Sequence, residues 1–586
     1  MPFLRKLASL LVHRGPDGEG FHRHGTVGLV HRRLSILDLE GGAQPIASAD
    51  ERSHIVANGE IYNYRELQNR IRSWGFRLRT DSDSEVPLYA WHRYGMEFVR
   101  HLEGMYAFAI YDETTEELVL ARDPVGIKPL YVAESALGVA FASEAGALVR
   151  SGWVPAEVEE RAWPDYFNKQ YVDGSLTMFK GVRRVEPGEV IRIRRGEILE
   201  RRTFQLELPP ATRCREDEAL EELDRRLAEV VESHLQSDVP YGAFLSGGID
   251  SSCVVTKMEE LVGRVRTYTV GFSSDTVHDE RRLATALASR LDTEHVSVEF
   301  GQEDFWRYLP KMCTTMDDLM ADYATLPTLK LAERAGRDVT VVLTGEGGDE
   351  GFAGYRRYRK HYPLGPRAWL RALLGREKPL GPAGNALGFG ALFRDASVAG
   401  WSDREGRVVS DLEGLSRLQR SQALDIRTWL PHKLLTKVDR SLMAYGLEGR
   451  VPLLDREFLQ FAFGLPDRLK IRDGSGKYLL RRWLADHAPE QDPWGSKRGF
   501  TVPIQDWLEG RRSEVRRYLT AHEGLGEVVD SSALATWLEH PIERRGAMIL
   551  FNFLCYALWH DLYIGSAPMP EQLFGGSEVS QFQRVS

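Results

Sequence analysis

Residues 239–255 read VPYGAFLSGGIDSSCVV, an apolar run of strand length that breaks into Ser246-Gly247-Gly248-Ile249-Asp250-Ser251-Ser252 and then continues with a helical pattern. Two adjacent glycines let backbone N–H groups approach an anion, three serines supply hydroxyl donors, and the following helix points its positive end at the same place. This chemistry suits a pyrophosphate, with Asp250 positioned to hold a divalent metal against it. A plain glycine turn capped by Asp250 or a serine is the competing reading of so short a motif.

A second loop changes the balance. The strand-like residues 339–343 end in Thr344-Gly345-Glu346-Gly347-Gly348-Asp349-Glu350, at the carboxyl edge where open α/β sheets bind ligands. Three carboxylates on one glycine-rich loop repel each other unless a cation lies among them, and Asp250 with Asp349 suits a shared Mg²⁺. A solvated acidic turn is the plain alternative. Around both loops, helix-like and strand-like runs alternate: helix 218–235, strand 241–245, a helix after Asp250, strand 265–272, helix 279–291, helix 327–336 and strand 339–343. Such alternation predicts a parallel sheet flanked by helices. Residues from about 400 to 560 read as mainly helical, and 565–586 as a polar, disordered tail.

At 586 residues the chain is too long for one core, so two or three domains of roughly 100 to 250 residues are expected. A net charge of −9 with no basic block argues against nucleic acid as a partner. No apolar run reaches membrane-spanning length and no signal-peptide core is present, which predicts a cytoplasmic protein without a membrane partner. Cys214, Cys253, Cys313 and Cys555 are too scattered for a zinc or disulfide framework.

The first 205 residues have a different rhythm. Short strand-like runs (GTVGLVHRRLSIL, HIVANGEIYNY, MYAFAIYD, ELVLARD, KPLYVA, GVAFASE) predominate, with two helix-like segments, YRELQNRIRSWG and SEVPLYAWHRYG. Residues 182–207 read as a closing hairpin, and a polar, Pro-containing stretch sets the domain boundary near 205–215.

The two loops carry a resemblance. SGGIDSS looks like the pyrophosphate loop of the ATP-pyrophosphatase domain in glutamine-hydrolysing asparagine synthetases, and TGEGGDE resembles their second loop. YTVGF followed by Asp279-Glu280, LTKVDRSLMAYGLEGRVPLLD, GKYLLRR and KRGFTVPIQDWL occur in the family's order, covering most of residues 215–510. The resemblance implies an adenine-nucleotide α-hydrolase-like synthetase domain over 215–560 that adenylates a carboxylate. ATP would contact Leu245, Val270 and Gly271 through its adenine, and Ser246, Gly247, Gly248, Ser251, Ser252, Thr344 and Gly345 through the rest, with Asp250 and Asp349 on Mg²⁺. Lys477 would neutralise charge developing on the phosphates and Glu346 would assist the acyl-adenylate step. Composition alone makes Lys477 a surface lysine. Asp439, Arg440, Glu448, Arg450 and Asp455 read more readily as a structural ion-pair network than as substrate ligands.

The first domain, 1–205, resembles the class II glutamine amidotransferase half of the same enzymes, an αββα fold of the N-terminal-nucleophile kind, through HRGPDGEG, HRRLSILD, NGEIYNY, TDSDSEV and ARDPVGIKPLYV. By that likeness Arg33 would grip the glutamine carboxylate, Glu60 and Asp83 its ammonium, and Asn58 with Gly59 would form an oxyanion hole. The Asn-Gly pair has a commoner meaning as a turn. The family's nucleophile is an amino-terminal cysteine, whereas this sequence starts Met1-Pro2 and first shows cysteine at 214. A start that omits a leading strand is expected over a domain that has lost hydrolysis, because the glutamine-binding positions are all filled.

The implied function is an ATP-dependent amidotransferase that activates aspartate or a related acid as acyl-AMP and amidates it with ammonia from glutamine or solution. Its partners would be small molecules only, and a homodimer is left open. Two alternatives keep the adenylation: a β-lactam-synthetase-like enzyme with a non-hydrolytic first domain, and an amidotransferase for a sugar acid or biosynthetic intermediate. A non-catalytic scaffold is the reading from another class. The acceptor is the open point, because Asp317-Asp318-Leu319-Met320-Ala321-Asp322-Tyr323 and Gly351 depart from the family pattern at positions expected beside the acyl site.

Overall fold

The computed structural model describes residues 1–272, 281–360, 362, 388–400, 412–495, 502–568, 570 and 573–574. Eleven strands build the amino-terminal half: β1 Gly18–His24, β2 Val27–Arg33, β3 Ile46–Ala47, β4 Ser53–Ile61, β5 Gly104–Asp112, β6 Glu117–Arg122, β7 Tyr131–Ser135, β8 Gly138–Ala142, β9 Val182–Arg184, β10 Glu189–Arg194 and β11 Glu197–Thr203. They form a six-stranded sheet β11-β10-β6-β5-β4-β3, a hairpin β1-β2 and a three-stranded sheet β8-β7-β9.

Period-two alternation explains the layering. In β4 and β5, Ile55, Phe108 and Ile110 face the helices Tyr64–Ser73 and Val86–Tyr94 through Leu67, Ile71 and Tyr89. The intervening Val56, Ala107 and Ala109 face Leu29 of β2 and Val132 of β7. On the far side, Leu7 of the helix Pro2–Leu10 packs with Ala140, Ala142 and Leu148. The result is an αββα sandwich. β1 was not expected as a strand, since GPDGEG reads as a turn; its outer positions stay half-exposed, so it shows no apolar alternation.

The second half centres on five parallel strands, β12 Tyr241–Phe244, β13 Arg266–Phe272, β14 Glu294–Phe300, β15 Val341–Leu343 and β16 Glu448–Arg450, in the order β14-β13-β12-β15-β16. The helices Glu216–His234, Ile249–Val262 and Tyr478–His487 cover one face through Leu223, Leu227, Val254 and Leu480, against Ala243 and Leu343. Thr325–Ala335 and Leu435–Met443 cover the other through Leu329, Ala332 and Leu442, against Tyr268 and Val342. β14 and β16 went unread: EHVSVEF is a half-exposed edge, and the three residues of β16, Glu-Gly-Arg, carry no strand signature although all are buried.

The rest is mainly helical and ends in Arg544–Tyr563, whose Phe551, Tyr556 and Trp559 are fully buried. The tail expected from 565 lies, beyond residue 574, outside the described residues. No helix among the described residues is long and apolar enough to cross a membrane.

Candidate active sites

β12 comes first in sequence, yet β13 and β15 pair with it on opposite sides, so the strand order reverses at the carboxyl end of β12. Such a switch point opens a crevice in a parallel sheet, and both glycine-rich loops leave from it. The first loop is internally braced. The Ser246 and Ser251 hydroxyls lie 2.9 Å apart, and the Ser246 hydroxyl accepts from the Gly248 N–H at 3.2 Å. Ser251 also donates to the Ser246 carbonyl at 3.1 Å. The Ser252 hydroxyl is buried without a hydrogen-bond partner. Leu245, Val270 and Gly271 are buried at the ends of β12 and β13, and Thr344 and Gly345 begin the second loop. A Cβ on Gly348 would meet Asp250 Oδ1 at 2.3 Å. Glycine there is what allows the second loop to touch the first.

Lys477 lies where these loops meet. Its residue sits in the left-handed region at φ 59° and heads the helix Tyr478–His487, a conformation that non-glycine residues hold only when surroundings over-determine it. Its ammonium ion-pairs with Asp250 and, at 2.9 Å, with Asp349. Burial alone would push this amine down, but the two carboxylates hold it above its usual range. The surface-lysine alternative is therefore wrong: Lys477 is 4% exposed. Two converging carboxylates are also the hard-oxygen donor chemistry that fits Mg²⁺. Glu346 is half-buried on the same loop.

One neighbour was overlooked. Glu350 is buried, receives the Tyr355 hydroxyl at 2.6 Å, and is pushed up to about 7 by burial and by the charge of Asp349. The sequence shows it as a third acid of the loop, but nothing in a linear pattern marks it as the buried one.

The amino-terminal half holds a cavity of about 610 Å³ between its layers, onto which Arg33, Asn58, Gly59, Glu60 and Asp83 all open. Asn58 Nδ2 is buried with no hydrogen-bond partner, so a donor is left for an incoming oxygen. Gly59 has φ +131°, and a Cβ there would sit 1.9 Å from the Met105 carbonyl. Arg33 is braced by donating to the Leu39 and Asp38 carbonyls at 3.0 and 2.7 Å. His31, not singled out beforehand, also lines the cavity and donates from Nε2 to the Ala57 carbonyl at 2.9 Å; burial lowers it to about 4, so it stays neutral. β2 and β8, each paired on one side only, both border the cavity. None of the four cysteines lines it.

Asp83 accepts from the Ile61 N–H at 2.7 Å and is pushed up to about 6, first by burial and then by the charge of Glu448. If Asp83 faces the ammonium of glutamine, affinity will fall roughly tenfold over the pH unit below that value. Glutamine itself does not titrate there. Calorimetric titration across about pH 5 to 7 checks this, and a flat profile would remove Asp83 from the pocket's ammonium contacts. The same raised pKa contributes stability that is present below the unfolded-state value and is lost as pH rises through about 6.

Buried ion pairs link the two halves. Arg14 meets Asp439 at 2.8 Å, Lys128 meets Glu448 at 3.3 Å, Glu144 meets Arg440 at 2.7 Å, and Glu60 meets Arg450 at 2.9 Å. Asp455 instead caps the helix Arg456–Gly464 through the Glu457 and Phe458 N–H groups. Asp317 pairs with Arg440, and Asp318 with Arg184 and the Tyr131 hydroxyl. Both acids therefore lie at the interface between the halves. Gly351 packs against Ala462 and Leu459, so its small size answers to helix packing. Asp279, Glu280 and residues 497–501 lie outside the described residues.

Family models match both halves: "Asparagine synthase" over residues 222–561 and "Glutamine amidotransferase domain" over 2–204. The chain is 33% identical to asparagine synthetase [glutamine-hydrolyzing] 1 of Bacillus subtilis, over 97% of this chain and 95% of that one. It is 34% identical to a putative asparagine synthetase [glutamine-hydrolyzing] of Mycobacterium tuberculosis over the same shares, and 27% identical to amidase chyE of Penicillium rubens over 92% and 90%.

Proposed function

The chain belongs to the asparagine synthase family of ATP-dependent, glutamine-hydrolysing ligases, and on that premise we propose that it converts aspartate or a related carboxylate into its amide. The substrate carboxylate attacks the α-phosphorus of ATP, pyrophosphate leaves, and ammonia then displaces AMP from the acyl-adenylate. The observation that carries this reading is the meeting of two glycine-rich loops at the switch point, with the Lys477 ammonium between Asp250 and Asp349.

Ser246, Gly247, Gly248, Ser251 and Ser252 face the phosphates, with the helix Ile249–Val262 directing its positive end there. Leu245, Val270 and Gly271 seat the adenine, and Thr344 and Gly345 close the second side. Asp250 and Asp349 would hold Mg²⁺, which when bound offsets phosphate charge. Lys477 stabilises negative charge that grows on the phosphates, and Glu346 orients the acyl-adenylate step.

In the first half Arg33 takes the glutamine carboxylate, Glu60 and Asp83 its ammonium, and Asn58 Nδ2 with the Gly59 N–H the oxyanion. The edges of β2 and β8 beside this pocket are open to an added extended segment, which would satisfy both and fill apolar space.

AMP formation with aspartate, measured with ammonia and separately with glutamine, tests the whole. Activity with ammonia is expected from this chain. Activity with neither nitrogen source would remove the aspartate reading. Glutamine-dependent activity should appear on adding an in-frame leading strand with an amino-terminal cysteine, and its failure to appear would mark the first half as non-hydrolytic.

A further inference from the structure

At the opposite end of the β1-β2 hairpin from Arg33, three histidines converge on one carboxylate. His22 and His24 stand two residues apart on β1 and so point to one side of the hairpin. His54 opens β4 beside them, and Glu113 follows β5, tied back by its N–H to the Arg52 carbonyl at 2.8 Å. His22 Nε2 lies 3.1 Å and His54 Nε2 3.2 Å from the same oxygen, Glu113 Oε1, and His24 Nε2 lies 3.9 Å from Oε2.

We propose that His22, His54 and Glu113 form the core of a binding site for a divalent transition-metal ion, Zn²⁺ by preference, with the exposed His24 at its edge turning in as the fourth ligand. Ligands about 2.0–2.1 Å from a tetrahedral ion stand roughly 3.3 Å apart, close to the 3.1 and 3.2 Å that separate His22 Nε2 and His54 Nε2 from Glu113 Oε1. Three imidazole nitrogens with one carboxylate oxygen is a donor set that Zn²⁺ takes readily.

Protons alone satisfy this cluster poorly. The His22 and His54 rings stack at 3.5 Å with 19° between their planes, and both Nε2 atoms are buried without a well-directed hydrogen bond. A single proton shared with Glu113 serves one imidazole and leaves the other facing an oxygen already in use. Two protons would stack two cations face to face. His24 Nδ1 and the Tyr111 hydroxyl are 3.1 Å apart, an outer contact that orients the ring and leaves Nε2 toward the cluster.

Two other clusters among the described residues lack these properties. At His522, His560 and Asp561 the polar atoms are already used: His522 Nδ1 accepts from the Leu525 N–H at 2.9 Å and the Tyr518 hydroxyl donates to Asp561 at 2.7 Å. At Asp224, Glu260 and His487 the Lys257 ammonium sits 2.6 Å from both acids.

An ion at this site would staple the hairpin to the large sheet. β2 carries Arg33 at the hairpin's other end, where Gly18 pairs with Arg33, and β4 carries Asn58 about 13 Å along from His54. The ion acts by fixing the two strands that bear the glutamine pocket, and it touches no substrate.

The test uses the purified full chain, stripped with a chelator and titrated with Zn²⁺ alone. One equivalent is expected to bind tightly and to raise the melting temperature. His54→Ala should weaken that binding on the order of 100-fold, and the exposed His24→Ala should weaken it less while leaving the metal-free melting temperature unchanged. His522→Ala should have no effect. Co²⁺ in place of Zn²⁺ should give the intense visible absorption of a four-coordinate ion. Equal Zn²⁺ affinity in the parent, His54→Ala and His24→Ala proteins would overturn the proposal, as would loss of the tight equivalent on His522→Ala or a weak six-coordinate Co²⁺ spectrum.

Discussion

Replacing Lys477 by Ala is expected to lower AMP formation by about 10³-fold with either nitrogen source. The two assays should fall together, because the residue acts on adenylation, before ammonia enters. Lys477 is the buried cation between Asp250 and Asp349, so its loss also leaves two carboxylates facing each other. Breaking a buried pair in this way costs roughly 3–5 kcal/mol. That penalty has a signature: the melting temperature of the variant should rise steeply with Mg²⁺, which takes over the neutralisation, while the parent should respond little. A variant that keeps its ATP-dependent activity would show that the ammonium is only a structural counter-ion.

The second large effect is expected at Arg450. It is fully buried on β16, ion-pairs with Glu60 and Glu448 at 2.9 Å each, and donates to the His234 and Gln236 carbonyls at 2.8 and 2.6 Å. Arg450→Ala leaves Glu60, Asp83 and Glu448 as a buried acidic cluster with only Lys128 in opposition, again a loss of roughly 3–5 kcal/mol. Glu60 is already pushed up by burial, with Arg450 the main force acting against that rise. Without the guanidinium Glu60 holds its proton further into the neutral range, and glutamine binding should weaken at least tenfold. The sign of the pH response follows. A carboxyl raised in the folded state contributes stability below its unfolded-state value and loses it as pH rises through the folded one. The variant should therefore be least destabilised in acid and lose ground toward neutral pH, while its glutamine affinity improves over the same interval. Thermal melts and glutamine titrations across pH read both trends, and a destabilisation independent of pH would detach Arg450 from the acids.

Much of the adenylating half was legible because its chemistry is local. SGGIDSS and TGEGGDE each carry glycine, donor and acid within seven residues, and the apolar runs before them have the length and bounds of buried strands. The same holds for β4, β5 and β6, where alternation of side chains survives intact. Lys477 was different. Its own surroundings, Gly-Ser-Gly-Lys, describe a surface turn, and only the order of motifs along the chain singled it out. Asp317 and Asp318 were singled out as departures from the family pattern, with no sign in the sequence of what they pair with. Folding gave them Arg440 and Arg184 as partners, because a buried acid must find a cation wherever the chain brings one.

The sequence by itself determined the two halves and their glycine-rich loops, since these depend on residue types close together along the chain, while likeness to a family picked out Arg33, Asn58, Gly59, Glu60 and Asp83, which the fold brings to one cavity. Tertiary structure alone decided that Lys477 bridges Asp250 and Asp349, that Glu350 is the buried acid of its loop, that Arg450 reaches across to Glu60, and that β2 and β8 leave an open slot beside Asn58. These pairings join residues up to several hundred positions apart. Burial and charge compensation select them, and neither can be read before the chain has closed on itself.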